Sequence, residues 1–326
     1  MRIGVLKFGG IGDMCDAISF VRAIQKKWGD TAALSLFTDC APMKPILSQF
    51  VTHVFCGSAD SWHDTFKKEA YKFQRFYDFR PHVCRVFAGD VYSKKLTLES
   101  DKDPAQMRRW KQYNSWETNR LQDIKTDLIT LNLKSAELPD VPYETELALK
   151  PSPMTGDYIT INVGAMGSER GLVQTKQWDF SRWQVVCDEL RARYQLPIYH
   201  VGRRWEKKLK RVNHLWGLPL LGVAAILKGS RLHLGNENGL IRLRRLVTDK
   251  PSVVVFGPTS KIMYGFKNNV NISSGVCRPC FWYTGDWMWE CAMGWDKACM
   301  TSVSIKHVLD AACGVLNGEH GSCSSG

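Results

Sequence analysis

The sequence predicts an α/β protein with two doubly wound, Rossmann-like domains, and three observations predict it. The chain opens with an apolar strand, a glycine turn and an amphipathic helix. A second series of alternating strands and helices begins after residue 151, and two proline-rich stretches lie between the series. At 326 residues there is enough chain for two full-sized cores.

In the first series, Ile3 to Phe8 is an apolar, partly β-branched run. Gly9-Gly10-Ile11-Gly12-Asp13 follows, and Met14 to Trp28 has helical periodicity. Ala33 to Thr38 reads as a second strand, Pro45 to Phe50 as a short helix and Val51 to Cys56 as a third strand. From about Ala59 to Leu131 the chain is polar and aromatic, with helical stretches and few clean strands. Leu138-Pro139-Asp140-Val141-Pro142 and Lys150-Pro151-Ser152-Pro153 then break the pattern as a linker.

The second series reads as strands over Tyr158–Val163, Pro197–Val201, Leu232–Leu234 and Ser252–Phe256. Its helices are expected over Ser181–Tyr194, Val223–Lys228, Leu240–Leu246 and Ser302–Leu316. The expected organisation is residues 1–150 and 151–318 as two domains facing across a cleft, with 319–326 a disordered tail.

An apolar fraction of 44% and a charged fraction of 23% are those of a globular protein. The opening residues hold no long apolar run, so neither a signal peptide nor a transmembrane helix is expected. Eleven cysteines without a secretion signal point to a reducing, cytoplasmic setting. The net charge of +12 calls for an acidic partner: nucleic acid, an anionic membrane face or a phosphorylated substrate. Basic clusters stand at Arg108-Arg109, at Arg203 to Arg211 and at Arg242-Arg244-Arg245, each read as a solvated face. No nucleic-acid module signature is present, so no sequence-specific nucleic-acid partner is expected.

Cys277, Cys280, Cys291 and Cys299 have the spacing of a metal knuckle, two ligands from one tight turn and two from further on. Five aromatic residues lie between the second and third cysteine, enough to shield an ion from water. Four thiolates leave no open coordination position, so the ion would be structural, zinc or iron. Four unlinked thiols or two disulfides are the alternatives. Trp282, Trp287, Trp289 and Trp295 are read as core around that metal, with an oligomer contact or an acceptor platform as the other options.

Four constellations could carry chemistry. In KFGGIGDM, glycines between strand and helix let a ligand approach the backbone, and Asp13 at the helix start is either a cap or a general base. The pattern is not G-x-G-x-x-G, which disfavours a nicotinamide cofactor. In the loop from Gly164 to Trp178, Gly164, Gly167, Ser168 and Lys176 could cradle a phosphate. Gly202 and Glu206 stand at a strand end, where an acidic residue can hold ribose hydroxyls. Finally, Gly235-Asn236-Glu237-Asn238-Gly239 opens a helix whose amides could receive a diphosphate, and Phe256-Gly257-Pro258-Thr259 follows the next strand.

Taken in order, these pieces resemble glycosyltransferase family 9, the heptosyltransferases that use ADP-heptose. The resemblance rests on the IGD turn, the Lys176-x-Trp178 element, Gly202-x-x-x-Glu206, the GNENG helix start, FGPT and the segment ending Cys299-Met300. It is strong over residues 3–28 and 158–300 and poor over about 59–135. It implies a GT-B fold and inverting sugar transfer with no catalytic metal. It also implies Asp13 as the base, Lys176 on donor phosphate and Glu206 on ribose, with Gly12, Gly164, Glu237, Asn238, Gly239 and Arg242 completing the donor site.

The family's D-[ST]-G element, with a histidine three residues beyond its glycine, stands here as Glu237-Asn238-Gly239 and Arg242. The fixed charge of Arg242 suits a diphosphate leaving group. The implied acceptor is lipopolysaccharide core or, as in an iron-bearing branch of the family, an autotransporter protein. Peripheral contact with the inner membrane face and a homo-oligomer are further implications. A non-catalytic nucleotide-sugar-binding homologue and a basic, metal-stapled nucleic-acid binder are the competing readings.

Overall fold

The computed structural model describes residues 1–29, 31–57, 72–79, 84–88, 126–165, 172–277, 279–281, 283–284 and 286–318. These divide into two compact units, one ending at Ala148 and the other beginning at Leu149. Most of the stretch from 59 to 125, the arginines at 108 and 109, Gly167, Ser168, Trp282 and the tail from 319 lie outside the described residues.

The first unit is built on β1 (Arg2–Leu6), α1 (Ile11–Trp28), β2 (Ala33–Thr38), α2 (Lys44–Leu47), β3 (His53–Cys56), β4 (Arg75–Asp78), β5 (Arg85–Ala88) and α3 (Leu128–Ser135). Its sheet runs β3-β2-β1-β4-β5, parallel except for β5, which pairs antiparallel with β4. Ile3, Val5 and Leu6 are fully buried, as expected of a central parallel strand covered on both faces. Aromatic rings fill the space beside them: Phe37 stacks on Phe55 at 4.8 Å, and Phe20 on Phe79 at 4.1 Å.

Helix α1 begins at Ile11, three residues before the apolar periodicity starts. Its first turn is held by polar contacts instead, because Asp13 at the third position accepts the Gly10 N–H at 3.0 Å. Strands β4 and β5 were not expected from the sequence. Phe76 and Tyr77 of β4 are buried, but four-residue strands amid polar chain leave little periodicity to read.

The second unit comprises β6 (Ile159–Asn162), α4 (Phe180–Tyr194), β7 (Ile198–Gly202), β8 (Asn213–Trp216), α5 (Leu220–Gly229), β9 (Leu232–Asn236), α6 (Gly239–Val247), β10 (Ser252–Val255), α7 (Lys261–Tyr264), β11 (Val270–Ile272), α8 (Ala298–Thr301) and α9 (Ile305–Asn317). Its six strands are all parallel, in the order β11-β10-β9-β6-β7-β8. Numbered from β6, that is the 3-2-1-4-5-6 winding of dinucleotide-binding sheets, with the chain reversing direction between β6 and β9. The edge strands β8 and β11 were not anticipated. Both are short and mostly half-buried, so neither shows the apolar run of a central strand.

The core of this unit packs Trp178 edge-on against Trp183 at 4.6 Å. The chain's last helix closes over it, burying Val308, Ala312 and Leu316. Two long-range bonds fix that closure: Trp178 Nε1 donates to Val303 O at 3.1 Å, and Arg182 donates to Val303 O at 2.7 Å.

One expectation is corrected here. The basic run on α6 is not a solvated face, because Arg242 and Arg244 are buried. Arg244 donates to Leu227 O and the Ser230 hydroxyl, and to Ser230 O at 3.2 Å and Pro251 O at 3.3 Å. These acceptors end α5 and precede β10, so the guanidinium ties three elements together, and burial pushes it down to about 9. No helix among the described residues is long and apolar enough to cross a membrane.

Replacing Arg244 by methionine keeps much of the volume and removes every donor. The buried carbonyls left behind are expected to cost about 3 kcal/mol or more, read as a fall in the urea midpoint of unfolding.

Candidate functional site

In an open parallel sheet, ligands settle outside the carboxyl ends of the strands, where the winding reverses. In the second unit that is the end of β6 and β9, and the sequence-predicted residues converge there. Glu237 and Asn238 follow β9 directly, Gly164 and Lys176 come from the loop after β6, Glu206 from the loop after β7, and Thr259 from the loop after β10.

Lys176 Nζ lies 2.5 Å from Glu237 Oε2, with both side chains mostly buried. Thr259 Oγ1 donates to the same oxygen at 2.9 Å. Burial alone would push the Glu237 carboxyl up. The Lys176 charge and hydrogen bond, the Arg242 charge and the Thr259 hydroxyl outweigh it and hold the carboxyl below its usual range. Aromatic rings complete the enclosure. Lys176 Nζ stands 5.7 Å from the Phe281 ring and 5.9 Å from Trp287, while the Arg242 guanidinium lies 5.4 Å from Tyr264 and 5.6 Å from Phe266.

Asn238 caps α6. Its Oδ1 accepts from Leu240 N at 2.8 Å and Ile241 N at 3.4 Å. Its Nδ2 donates to Asn162 Oδ1 at 2.6 Å and to Gly164 O at 2.8 Å. The side chain therefore bridges the end of β6 to the start of α6. It fixes the shape of the helix start.

Glu206 is buried beside this bridge. Its Oε1 accepts the Arg203 N–H at 2.9 Å, closing the turn after β7. Its Oε2 has no hydrogen-bond partner among the described residues. A Cβ added at Gly202 would stand 2.7 Å from Oε2, and one at Gly164 3.0 Å, so both glycines make room for the carboxylate.

Asp13 lies in the first unit, in the opening turn of α1 just past β1. Its carboxylate accepts from Gly10 N and lies 3.6 Å from the mostly buried Lys7 Nζ, which also donates to Phe79 O at 2.9 Å. The side chain of Asp13 is 44% exposed, so it remains open to a reactant. Gly9 at φ +126 is required here, because a Cβ would fall 2.4 Å from Asp13 Oδ2. Asp39, after β2, accepts from Gly9 N at 2.9 Å. Burial pushes the Asp39 carboxyl up, the Gly9 amide opposes this and the Asp13 charge adds to the rise. Gly12 is in the first turn of α1, and Gly239 in that of α6.

Cys277, Cys280, Cys291 and Cys299 are free thiols, so the pairing into two disulfides is not adopted. Cys277, Cys280, Cys291 and Cys299 lie close enough to perturb one another. Burial and the charges of its neighbours push Cys299 up to about 12 and Cys280 up to about 11. Cys291 differs: burial opposes the thiolate, but the amides of Met293, Lys297, Trp295 and Gly294 prevail and lower it. Four sulfurs brought near one another are a donor set that fits a soft cation. Among the described residues no group of three or more such side chains is already drawn together to hold a metal ion.

The segment between these cysteines is bound to the charged cluster. Cys280 N and Phe281 N both donate to Pro258 O, at 2.9 and 3.0 Å, and Thr175 Oγ1 donates to Trp287 O at 2.8 Å. Trp287 is buried as core, whereas Trp295 is 53% exposed.

Similar architectures exist among solved structures. A family 9 glycosyltransferase from Veillonella parvula aligns over 97% of both chains with a TM-score of 0.67 at 13% identity. The Escherichia coli ADP-heptose lipopolysaccharide heptosyltransferase II aligns over 98% of this chain and all of that one, at a TM-score of 0.58 and 15% identity. TibC of enterotoxigenic E. coli H10407, described as an iron-containing dodecameric glycosyltransferase, aligns over 98% of this chain and 76% of its own, with a TM-score of 0.62 and 14% identity. The fold is that of glycosyltransferase family 9. No family model matches the sequence, and no curated protein sequence does either.

Within this family 9 fold, sequence reasoning found the charged residues but missed their partners. Thr259 stands in the FGPT element, where nothing in the sequence marks its hydroxyl as a partner of Glu237. Lys7 and Asp39 carried no pattern that would single them out. Phe281 and Trp287 were read as metal shielding, whereas they also flank Lys176.

Because Glu237 is held below its ordinary value of 4.5 when folded, the pair with Lys176 stabilises the unit above that pH. The contribution is lost as the pH falls from there through the lower folded value. Glu237→Gln should therefore flatten the acid limb of the stability curve, measured by urea unfolding between about pH 5 and about pH 2.5.

Proposed function

We propose that the protein is an inverting glycosyltransferase that moves a sugar from a nucleoside diphosphate sugar to a hydroxyl acceptor. The reading rests chiefly on the meeting of Lys176, Glu206, Glu237 and Arg242 at the carboxyl ends of parallel strands. The surrounding fold is shared with E. coli WaaC, described with ADP, and with TibC, described with ADP-D-β-D-heptose.

Two buried cations beside a helix start suit a diphosphate, and Glu206 Oε2 suits a ribose hydroxyl. Lys176 would exchange part of its contact with Glu237 for donor phosphate, leaving that carboxylate to accept from sugar hydroxyls. Asp13 takes the proton of the acceptor hydroxyl, whose oxygen attacks the anomeric carbon from the face opposite the nucleotide. Lys176, Arg242 and the amides of the α6 start stabilise the departing diphosphate.

The donor proposed is ADP-heptose and the acceptor a hydroxyl of lipopolysaccharide core or of a protein. Catalysis needs no metal in this scheme. Cys277, Cys280, Cys291 and Cys299 would hold a structural zinc or iron ion, which when bound cross-links the segment carrying Phe281 and Trp287.

Asp13→Asn is expected to reduce transfer by roughly a hundredfold or more while leaving the ADP dissociation constant unchanged, measured by product formation and by calorimetry. Undiminished transfer would remove Asp13 from the mechanism. Elemental analysis of the purified protein should find zinc or iron, and Cys280→Ser should lower both the metal content and the melting temperature. A metal-free protein whose melting is indifferent to chelator would eliminate the structural ion.

A further inference from the structure

The buried surroundings of Glu206 hold one more polar residue, His200 in the middle of β7. Its side chain is wholly buried, and neither ring nitrogen has a hydrogen-bond partner among the described residues. In register it lies between Ile161 of β6 and His214 of β8. Its ring meets Trp216 edge-on at 5.7 Å and His214 at 5.6 Å. An aliphatic side chain would fill this place in a parallel sheet with no polar atom left over. Buried polar atoms without partners are uncommon and costly, at about 1–3 kcal/mol each, so histidine here calls for a physical reason.

The reason lies in what the ring faces. His200 Nε2 is 3.7 Å from Glu206 Oε2, the carboxylate oxygen that also lacks a partner. That separation is too long for a hydrogen bond and short enough to become one with a small rotation of the carboxylate. The other oxygen is already fixed by Arg203 N–H, so rotation about that contact is the motion left to the group. Hydrogen bonds at functional sites are often long before ligand arrives and tighten when it binds. The other titratable or charged groups here are His214 and Lys208. Burial, His200 and Lys208 all hold His214 below its ordinary range, which favours its neutral form.

Resting on the nucleotide reading above, we propose that His200 is the positioning residue for Glu206. In its Nε2–H tautomer the ring donates to Oε2 from within the sheet. It thereby holds the carboxylate over Gly202 and Gly164 with a lone pair turned toward the ribose hydroxyls of the nucleotide. His200 is sealed in the core and touches no ligand; it acts through Glu206 alone.

The test compares ADP, 2′,3′-dideoxy-ADP and inorganic pyrophosphate by calorimetry on the full chain. His200→Leu should weaken ADP binding about tenfold, as expected for losing support of one charged hydrogen bond. It should leave dideoxy-ADP and pyrophosphate unchanged, because neither presents ribose hydroxyls. His200→Gln, which keeps a donor, should restore most of the ADP affinity. In a Glu206→Gln background the leucine substitution should have no further effect.

Equal weakening of all three probes, or a glutamine variant no better than leucine, would mean a packing role and overturn the inference alone. A wild-type protein that binds neither ADP nor pyrophosphate would overturn the nucleotide reading and this inference with it. Should His200→Leu fail to fold, His200→Met takes its place. A methionine variant weaker on ADP alone supports the inference, and one that matches wild type on all three ligands, while Glu206→Gln loses ADP selectively, defeats it.

Discussion

Where the winding of the second sheet reverses, two amide side chains span the ends of β6 and β9: Asn236, which donates to Val163 O at 2.6 Å, and Asn238. Asn238 accepts from two amides of α6 and donates to Asn162 and Gly164 on the other strand, using its full hydrogen-bonding capacity. Everything proposed for donor binding hangs from that bridge. It fixes the start of α6, which carries Arg242; it fixes the residue after β9, which is Glu237; and it fixes Gly164, over which Glu206 lies.

A second constraint is electrostatic. A buried carboxylate is costly unless it is paired and hydrogen-bonded, and Glu237 has both kinds of support in Lys176 and Thr259. The cations in turn are shielded by rings from two sources. Tyr264 and Phe266 come from the stretch around α7, and Phe281 and Trp287 from the cysteine-bearing segment. The cysteine-bearing segment is thus joined to the charged cluster at the Pro258 and Trp287 carbonyls as well as through these rings.

The frame of the protein was legible because central parallel strands are continuous apolar runs. β2 was read to the residue, and β1, β6, β7 and β10 to within a residue or two. Edge strands were not legible: β8 and β11 are half-wet and short, so periodicity gave no sign of them. Lys176, Glu206 and Glu237 stand out in the sequence because glycines and strand ends mark places where charge is conspicuous, and the structure puts all three at strand ends of the second sheet. Arg244 was misread because local sequence cannot distinguish an arginine bonded to buried carbonyls from one in water. His200 was missed for the converse reason, since a histidine within an apolar strand looks like ordinary core.

The contacts that hold the loop of Lys176 reach far along the chain. Thr175 is fixed by Trp287, 112 residues later, Trp178 by Val303, 125 residues later, and Arg182 by the same carbonyl, 121 residues later. On a ribosome, then, β6 and its loop emerge long before the residues that set their shape. During synthesis the second unit must wait, incomplete, with Trp178 and Trp183 uncovered until α9 is released, while the first unit is free to fold at once. The loop of Lys176 takes its final shape only after Trp287 and Val303 have emerged.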